Sequence, residues 1–232
     1  MSTGLGGEVM WLCPSLDDSP NDLSGNGNNG TYENGISTVA DSDPTYGGSR
    51  AYNFDGTDDY IQTTLSDSSW RPTSTSDFSV SGWYKTKSKY TSSKVFSDGT
   101  VELGQESNFN RASAAGLVPL ASVNFAGTLY GNSGWNWRHL AMVQEGGSIR
   151  AYEDGILLAT MAVGYDVTVN AQLYDARIGF RNGGTYASAY MDDIRAFSRV
   201  ITQSEITHLA FSRGILGGLG GTHILRTLLG VG

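Results

Sequence analysis

Hydrophobic and polar residues alternate in short runs along most of the chain, which is the pattern of β-strands with one buried face. In the run 77–84, Phe78 and Val80 fall on one face, and Ser79, Ser81 and Trp83 fall on the other. The run 137–143 is apolar enough to predict a central strand that is buried on both faces. Runs 176–180 and 189–197 predict two late strands.

Two local signals add a hairpin and a helix. Asp154 and Gly155 separate two strand-like runs, 148–153 and 156–161, and this dipeptide is typical of a two-residue type I′ turn. Thr202 and Glu205 form a capping box before the apolar stripe Ile206, Leu209, Ala210, which predicts a short helix at one edge of the sheets. The pattern therefore predicts an all-β, two-sheet antiparallel sandwich with one short C-terminal helix.

Composition agrees with this fold and excludes several functions. Among 232 residues there are 31 glycines, and only 16% of the residues are charged, which is typical of a turn-rich β protein. A net charge of −8 argues against nucleic acid or an anionic membrane as partner. The chain has no apolar run long enough to span a membrane and no signal peptide at its start, and its single cysteine forms no intrachain disulfide.

The composition changes after Arg213, which divides the chain into a predicted domain, 1–213, and a C-terminal arm, 214–232. Seven of the last nineteen residues are glycine, eight are Ile, Leu or Val, and Arg226 alone is charged. The arm folds over its own domain, packs onto a neighbouring subunit or stays disordered; the sequence leaves these alternatives open. The apolar residues predicted to act in assembly are Ile215, Leu216, Leu219, Ile224, Leu225, Leu228 and Leu229.

Six stretches, in order between residues 8 and 211, resemble motifs of the LamG-like, concanavalin A-like lectin/glucanase family. The resemblance implies that the sandwich is a jelly roll. The stretches are an opening Asp-x-Ser-Gly-Asn loop at 22–31, a Phe-Asp-Gly turn with its following strand at 51–61, a Phe-to-Trp strand at 78–83, a Trp-x-His strand at 137–143, a Tyr-x-Asp-Gly hairpin at 152–155, and a closing strand and helix at 191–206.

Calcium is the cofactor that this resemblance suggests. The opening loop offers the oxygen ligands of Asp22, Asn26 and Asn28, and Ca²⁺ prefers six to eight such ligands. In relatives a cation often lies where this loop meets the closing strand, which implies Asp192 as the second carboxylate, with Asp58 and Asp59 as further candidates. The alternative is that Asp22 and Asn26 only cap turns.

Catalysis is not expected. The glucanase branch of the family uses two carboxylates about 5 Å apart. The nearest pattern here is Glu102 and Glu106, which share a strand face but lack the family's central aspartate. The three histidines, His139, His208 and His223, are scattered without metal-ligand spacing.

Glycan binding needs a flat aromatic ring beside amide or carboxylate side chains. The candidates are Tyr130, Trp135, Asn136 and Tyr186, because they lie next to loop glycines. Trp83 is a weaker candidate on the concave sheet, since tryptophans inside alternating runs, such as Trp83 and Trp137, are more often core residues. Cys13 is interpreted as a small buried hydrophobic residue.

These observations predict a non-catalytic structural or binding module. Family members usually belong to secreted multidomain proteins, whereas a stand-alone domain without an export signal resembles the small surface modules of tailed bacteriophages. The expected role is therefore a virion surface protein (capsid decoration or tail fibre) that binds itself or other virion subunits through residues 214–232, and cell-surface glycans through its loops. The alternatives are a free, extracellular lectin-like module or a glycoside hydrolase relative.

Overall fold

Two antiparallel sheets pack face to face, as the sequence predicts. The computed structural model describes residues 5–41, 49–66, 70, 76–87, 94–106, 109–114, 121–125, 136–162, 175–181 and 183–212. The first sheet contains β1 (Glu8–Leu12), β3 (Ser37–Ala40), β4 (Arg50–Asp55), β6 (Phe78–Thr86), β11 (Arg138–Glu145), β12 (Ser148–Glu153), β13 (Ile156–Ala162) and β17 (Ser188–Phe197).

The second sheet has seven strands, and a small hairpin stands beside it. Its strands are β2 (Gly30–Glu33), β5 (Tyr60–Thr63), β7 (Lys94–Ser97), β8 (Val101–Glu106), β9 (Phe109–Ala114), β10 (Ala121–Phe125) and β14 (Arg177–Ile178). The hairpin is β15 (Phe180–Arg181) with β16 (Thr185–Tyr186). The order is β13-β12-β11-β6-β17-β4-β3 in the first sheet, with β1 on β17, and β10-β9-β8-β7-β14-β5-β2 in the second.

The main core lies between the two sheets and follows the predicted alternation. Phe78 and Val80 of β6 face inward and are buried with Ile61 and Ile178 of the second sheet. β11 lies between β6 and β12, and six of its eight residues are buried, which confirms the predicted central strand. The hairpin from β12 to β13 turns at Asp154 and Gly155, both with positive φ, as a type I′ turn requires.

Helix α1 (Gln203–Ala210) begins at the predicted capping box. The Thr202 hydroxyl accepts a hydrogen bond from the Glu205 amide, and the Glu205 side chain accepts one from the Thr202 amide. The helix packs on the outer face of the first sheet, where Ile206 and Leu209 join an apolar cluster with Val143 and Tyr152. The sequence placed this helix at a sheet edge; it covers a sheet face instead, because the outward side chains of β11 and β12 are themselves apolar.

The same outer face buries the two tryptophans expected in the core. Trp83 is fully buried, and its indole N–H donates to the Leu209 carbonyl over 3.0 Å. Trp137 is buried with Trp83 and Ala51 in a separate apolar cluster. Trp83 therefore supplies no sugar platform, which confirms the core interpretation. Cys13 is also buried, as expected.

A buried ionic cluster joins the first strand of the chain to the last. The Arg195 guanidinium donates to Asp193 over 2.8 Å and to Glu8 over 3.1 Å, and it lies 4.0 Å from the ring centre of Trp11. The Trp11 indole donates to the same Asp193 oxygen over 2.6 Å. Asp193 has a φ of 51° at the irregularity in β17 between Asp192 and Arg195, which turns its carboxylate toward this cluster.

Candidate functional site

The outer face of the second sheet carries a polar row across five strands. Residues directly opposite each other in antiparallel strands share a face. The register therefore aligns Thr31, Gln62, Arg177, Ser97 and Glu102 on β2, β5, β14, β7 and β8. Their neighbours along the strands, including Ile61 and Ile178, belong to the core, so this row faces away from the first sheet.

Three aromatic rings cluster beside the row. The centre of the Phe180 ring lies 5.5 Å from the centres of both Tyr60 and Tyr186, and these two lie 6.4 Å apart. The Arg177 guanidinium carbon lies 4.6 Å from the ring centre of Phe180 and 5.1 Å from that of Tyr60, within cation–π range. Arg177 also donates to the Gln62 side-chain oxygen over 2.6 Å. We call Tyr60, Gln62, Arg177, Phe180 and Tyr186 the aromatic face.

Gly179 sets the position of two of these rings. Its φ is +82°, and a Cβ at this position would lie 2.3 Å from the Phe54 ring, so glycine is required on both counts. The turn at Gly179 redirects the chain from β14 into the β15–β16 hairpin, where Phe180 lies opposite Tyr186. A strand that stayed straight would instead continue the second sheet.

Glu102, one of the two glutamates considered for hydrolysis, lies in the polar row. Its carboxylate is 3.7 Å from the Lys94 ammonium and 3.7 Å from Nε of Arg181. Lys94 is completely buried and Glu102 is nearly so. Glu106 ends β8, and its side chain lies outside the described residues. In the described part of the chain, Glu102 thus acts as an ion-pair partner of two cations.

Of the four residues predicted to bind a glycan, two are described by the structure, and these two belong to different parts of the fold. Tyr186 belongs to the aromatic face, and its side chain is half-buried. Asn136 is exposed just before β11, in the first sheet. Tyr130 and Trp135 lie outside the described residues, as does the predicted arm, 214–232.

Sequence reasoning missed Tyr60, Gln62, Arg177 and Phe180. A signal for two of them was present, because the alternation Tyr60-Ile61-Gln62 places Tyr60 and Gln62 opposite a core residue. The pairing of β5 with β14 joins residues 115 positions apart and has no local signal.

Hydrogen bonds within the opening loop and to β1 hold this loop in place. Both carboxylate oxygens of Asp22 accept hydrogen bonds, from the amides of Trp11, Ser24 and Asn28 and from the Ser24 hydroxyl, all over 2.9 Å. The side-chain amides of Asn26 and Asn28 donate to the carbonyls of Glu8 and Val9, which are the first two residues of β1. Of these bonds, the one from the Ser24 amide to Asp22 is the turn capping considered as the alternative to calcium.

Asp192 binds a different part of the chain. It is fully buried; one oxygen accepts from the Ser15 hydroxyl over 2.6 Å, and the other accepts from the Asp193 amide over 2.8 Å and contacts the Cys13 thiol at 3.4 Å. Burial, and after it the neighbouring Asp192 carboxylate, raises the pKa of the Cys13 thiol well above its usual value. The oxygens of Asp22 and Asp192 thus accept hydrogen bonds from separate partners, and calcium binding by this set stays a prediction.

A group of three carboxylates occurs at the Phe-Asp-Gly turn. Asp55, Asp58 and Asp59 bring their ligand oxygens within 4.8 Å of one another, and within the described residues no other such group of His, Cys, Asp or Glu is found. Asp59 is buried and accepts a hydrogen bond from the Asp55 amide over 3.0 Å. Burial raises the pKa of Asp59. The further calcium candidates, Asp58 and Asp59, therefore do lie together.

Residues 55–207 match the family described as the concanavalin A-like lectin/glucanase superfamily. The chain belongs to this superfamily. The match confirms the resemblance read from the motifs. No curated protein matches the chain. No helix among the described residues has the length and apolar character that a membrane-spanning helix needs.

Solved structures share the fold at low sequence identity. Domain 4 of AbnA, an extracellular GH43 arabinanase from Geobacillus stearothermophilus, was solved with arabinotriose; it is 18% identical, with a TM-score of 0.66 over 88% of this chain and 98% of that one. The binding domain of Paraclostridial Mosquitocidal Protein 1 is 15% identical, with a TM-score of 0.68 over 88% and 52%. A botulinum neurotoxin type C structure, whose cell entry depends on two ganglioside molecules, is 14% identical, with a TM-score of 0.65 over 88% and 50%. This chain therefore spans about half the length of the two toxin domains.

Proposed function

We propose that this chain is a non-catalytic module that binds carbohydrate on the aromatic face of the second sheet. The observation that carries the proposal is the contact of Tyr60, Gln62 and Arg177 on the second sheet with Phe180 and Tyr186 of the adjoining hairpin, where Phe180 is buried and Tyr186 is partly exposed. Aromatic rings offer flat apolar surfaces for the C–H faces of sugars, and amide and guanidinium groups offer hydrogen bonds to their hydroxyls. Tyr60, Gln62, Arg177 and Tyr186 are each partly exposed.

The ligand class is supported by a structural neighbour. Domain 4 of AbnA is matched over 98% of its length and was solved with a bound arabino-oligosaccharide. Arabinotriose is therefore the first probe, followed by a panel of plant, bacterial and animal oligosaccharides.

Calorimetric titration of the full chain tests the proposal. Tyr186→Ala should weaken binding of the best probe at least tenfold, which corresponds to about 1.4 kcal/mol. Tyr190→Ala is the matched control, because Tyr190 is a half-buried tyrosine of the first sheet whose ring lies 4.3 Å from the Lys87 ammonium. Failure of every probe to bind, or equal losses in the two variants, would contradict binding at the aromatic face.

The absence of catalysis is part of the proposal. What supports it is the position of Glu102 between Lys94 and Arg181, an arrangement of ion pairs. Incubation with the bound sugar should release no reducing ends. If it does release them, and Glu102→Gln stops the release, the glycoside hydrolase alternative replaces this proposal.

The virion role stays a prediction. A capsid decoration or tail-fibre protein and a free extracellular lectin-like module would both use the same aromatic face. A virion protein should sediment with purified phage particles, whereas a free module should stay in the supernatant.

A structural calcium ion also stays a prediction. If an ion is bound, the protein should unfold at a higher temperature in calcium than in chelator. Coincident unfolding curves would contradict calcium binding. Asp58→Asn distinguishes the two positions, because it should abolish the difference only for an ion at the Asp55–Asp58–Asp59 group.

A further inference from the structure

Strand β13 exposes large hydrophobic side chains to solvent. Ile156 is 64% exposed, Leu157 46% and Leu158 42%, and Phe211, just after α1, is 42% exposed. Among the described residues these are four of the five large hydrophobic side chains that are exposed. We call these four residues the apolar patch.

The two parts of the patch meet at the β12–β13 turn. The Gln203 side chain of α1 donates to the Gly155 carbonyl over 2.7 Å, and a methyl group placed on Gly155 would lie 3.4 Å from the Cβ of Ala210. Gly155 directly precedes Ile156, and Ala210 directly precedes Phe211. The end of the helix and the start of β13 therefore form one surface.

This surface includes the strand at one end of the first sheet. Within the described residues, β13 is hydrogen-bonded to β12 alone, and β10 of the second sheet lies beside it without pairing. The pairing of β13 with β12 is irregular between Ala151 and Tyr152, where Leu158 is an extra residue on β13 with no residue opposite it on β12. Exposed apolar edge strands attract further strands, and proteins commonly cover or charge them. The residues at the start of β13 carry no charge.

We propose that residues 224–231 of the same chain cover the apolar patch. Ser212, the last of the described residues, lies two positions beyond Ala210 and therefore close to the patch. Residues 224–231 contain five Ile, Leu or Val side chains and one charge. Ten Gly-rich residues, 214–223, separate Arg213 from Ile224. A flexible chain of ten residues spans about 17 Å on average, against a β13 length of about 23 Å.

Proximity favours the same chain over a second copy. A short flexible linker holds its attached segment at an effective concentration on the order of millimolar. A second copy at micromolar concentration competes poorly with that. Of the occupants that the sequence left open, the geometry therefore favours the domain's own C-terminal segment.

Limited trypsin digestion of the full chain tests this docking. Trypsin cleaves after Arg226, and release of residues 227–232 is followed by mass spectrometry. Ile156→Glu should release this fragment about tenfold faster than the wild type, because a charge in the patch disfavours an apolar occupant. Leu16→Glu is the control: Leu16 is 37% exposed and lies outside the patch.

The protein concentration and the solution mass decide between the alternatives. Docking within one chain predicts a monomeric mass by light scattering. It also predicts that the fragment is released at the same rate when the protein concentration is lowered about 100-fold. Equal release from the wild type, Ile156→Glu and Leu16→Glu would overturn the proposal. A wild-type oligomer that Ile156→Glu converts to a monomer would also overturn it, and would favour exchange of arms between copies.

Discussion

The buried His139 should make the protein less stable in mild acid. Its imidazole is completely buried on β11, and this burial lowers its pKa from 6.5 to about 3. An unfolded chain takes up a proton at His139 as the pH falls through about 6.5, whereas the folded protein takes it up only near pH 3. The free energy of unfolding therefore falls as the pH falls between these values.

The free energy of unfolding should fall by about 2 kcal/mol between pH 8 and pH 5. The pKa of His139 in the unfolded chain lies about 1.5 units above pH 5, and each unit corresponds to about 1.4 kcal/mol. The size at pH 5 depends mainly on the unfolded pKa, since His139 in the folded protein is neutral at that pH for any value near 3. Urea unfolding at the two pH values measures it, in the wild type and in His139→Gln. Comparison within each variant removes the constant cost of the substitution.

His139→Gln should lose about 2 kcal/mol less than the wild type on going from pH 8 to pH 5. His208→Gln is the control for the loss of a histidine as such, because His208 lies half-buried in the last turn of α1. Equal pH dependence in the wild type and in His139→Gln would refute the reasoning, because His139 would then be charged or accessible in the folded protein.

Four further substitutions are predicted to change the urea midpoint. Gly179→Ala should lower the free energy of unfolding by about 3 kcal/mol, because the added methyl group would clash with the Phe54 ring at a positive φ. Gly183→Ala should lower it by about 1 kcal/mol, because a methyl group there would have no atom within 4 Å. Equal losses in the two variants would contradict the clash. Thr202→Ala should cost about 1 kcal/mol by removing the helix cap. Arg195→Met should cost about 3 to 5 kcal/mol, because it leaves two buried carboxylates unpaired, and a loss below 1 kcal/mol would contradict that role.

The local parts of the fold could be predicted from the sequence because their signals lie within a few residues. The capping box at Thr202 and the Asp154–Gly155 turn are each complete in four residues or fewer, and both occur as predicted. The alternation in β6 likewise assigned Phe78 and Val80 to the core. In each case a local preference and the tertiary structure agree.

The candidate site could not be predicted in the same way. Its residues come from β5, β14 and the β15–β16 hairpin, whose pairing joins Gln62 to Arg177 across more than a hundred positions. Sequence reasoning favoured aromatics beside loop glycines, which identified Tyr186 but not Tyr60 or Phe180. Phe180 follows a glycine as well, but the close contact that requires glycine at position 179 is with Phe54, a residue distant in sequence.

The contrast between the two outer sheet faces is the reason why ligand binding is proposed on the second sheet. On the first sheet, α1 and its apolar partners cover β11 and β12, and Trp83 and Trp137 are buried. On the second sheet, Tyr60, Gln62 and Arg177 remain partly exposed on strands that are held in place by the core beneath them, and Tyr186 is partly exposed on the adjoining hairpin. A rigid strand positions a binding side chain more accurately than a loop does, which reduces the entropy lost on binding. The same helix that makes the first sheet unavailable to a ligand also brings Phe211 beside β13, so covering one face creates the apolar patch that the C-terminal segment is proposed to fill.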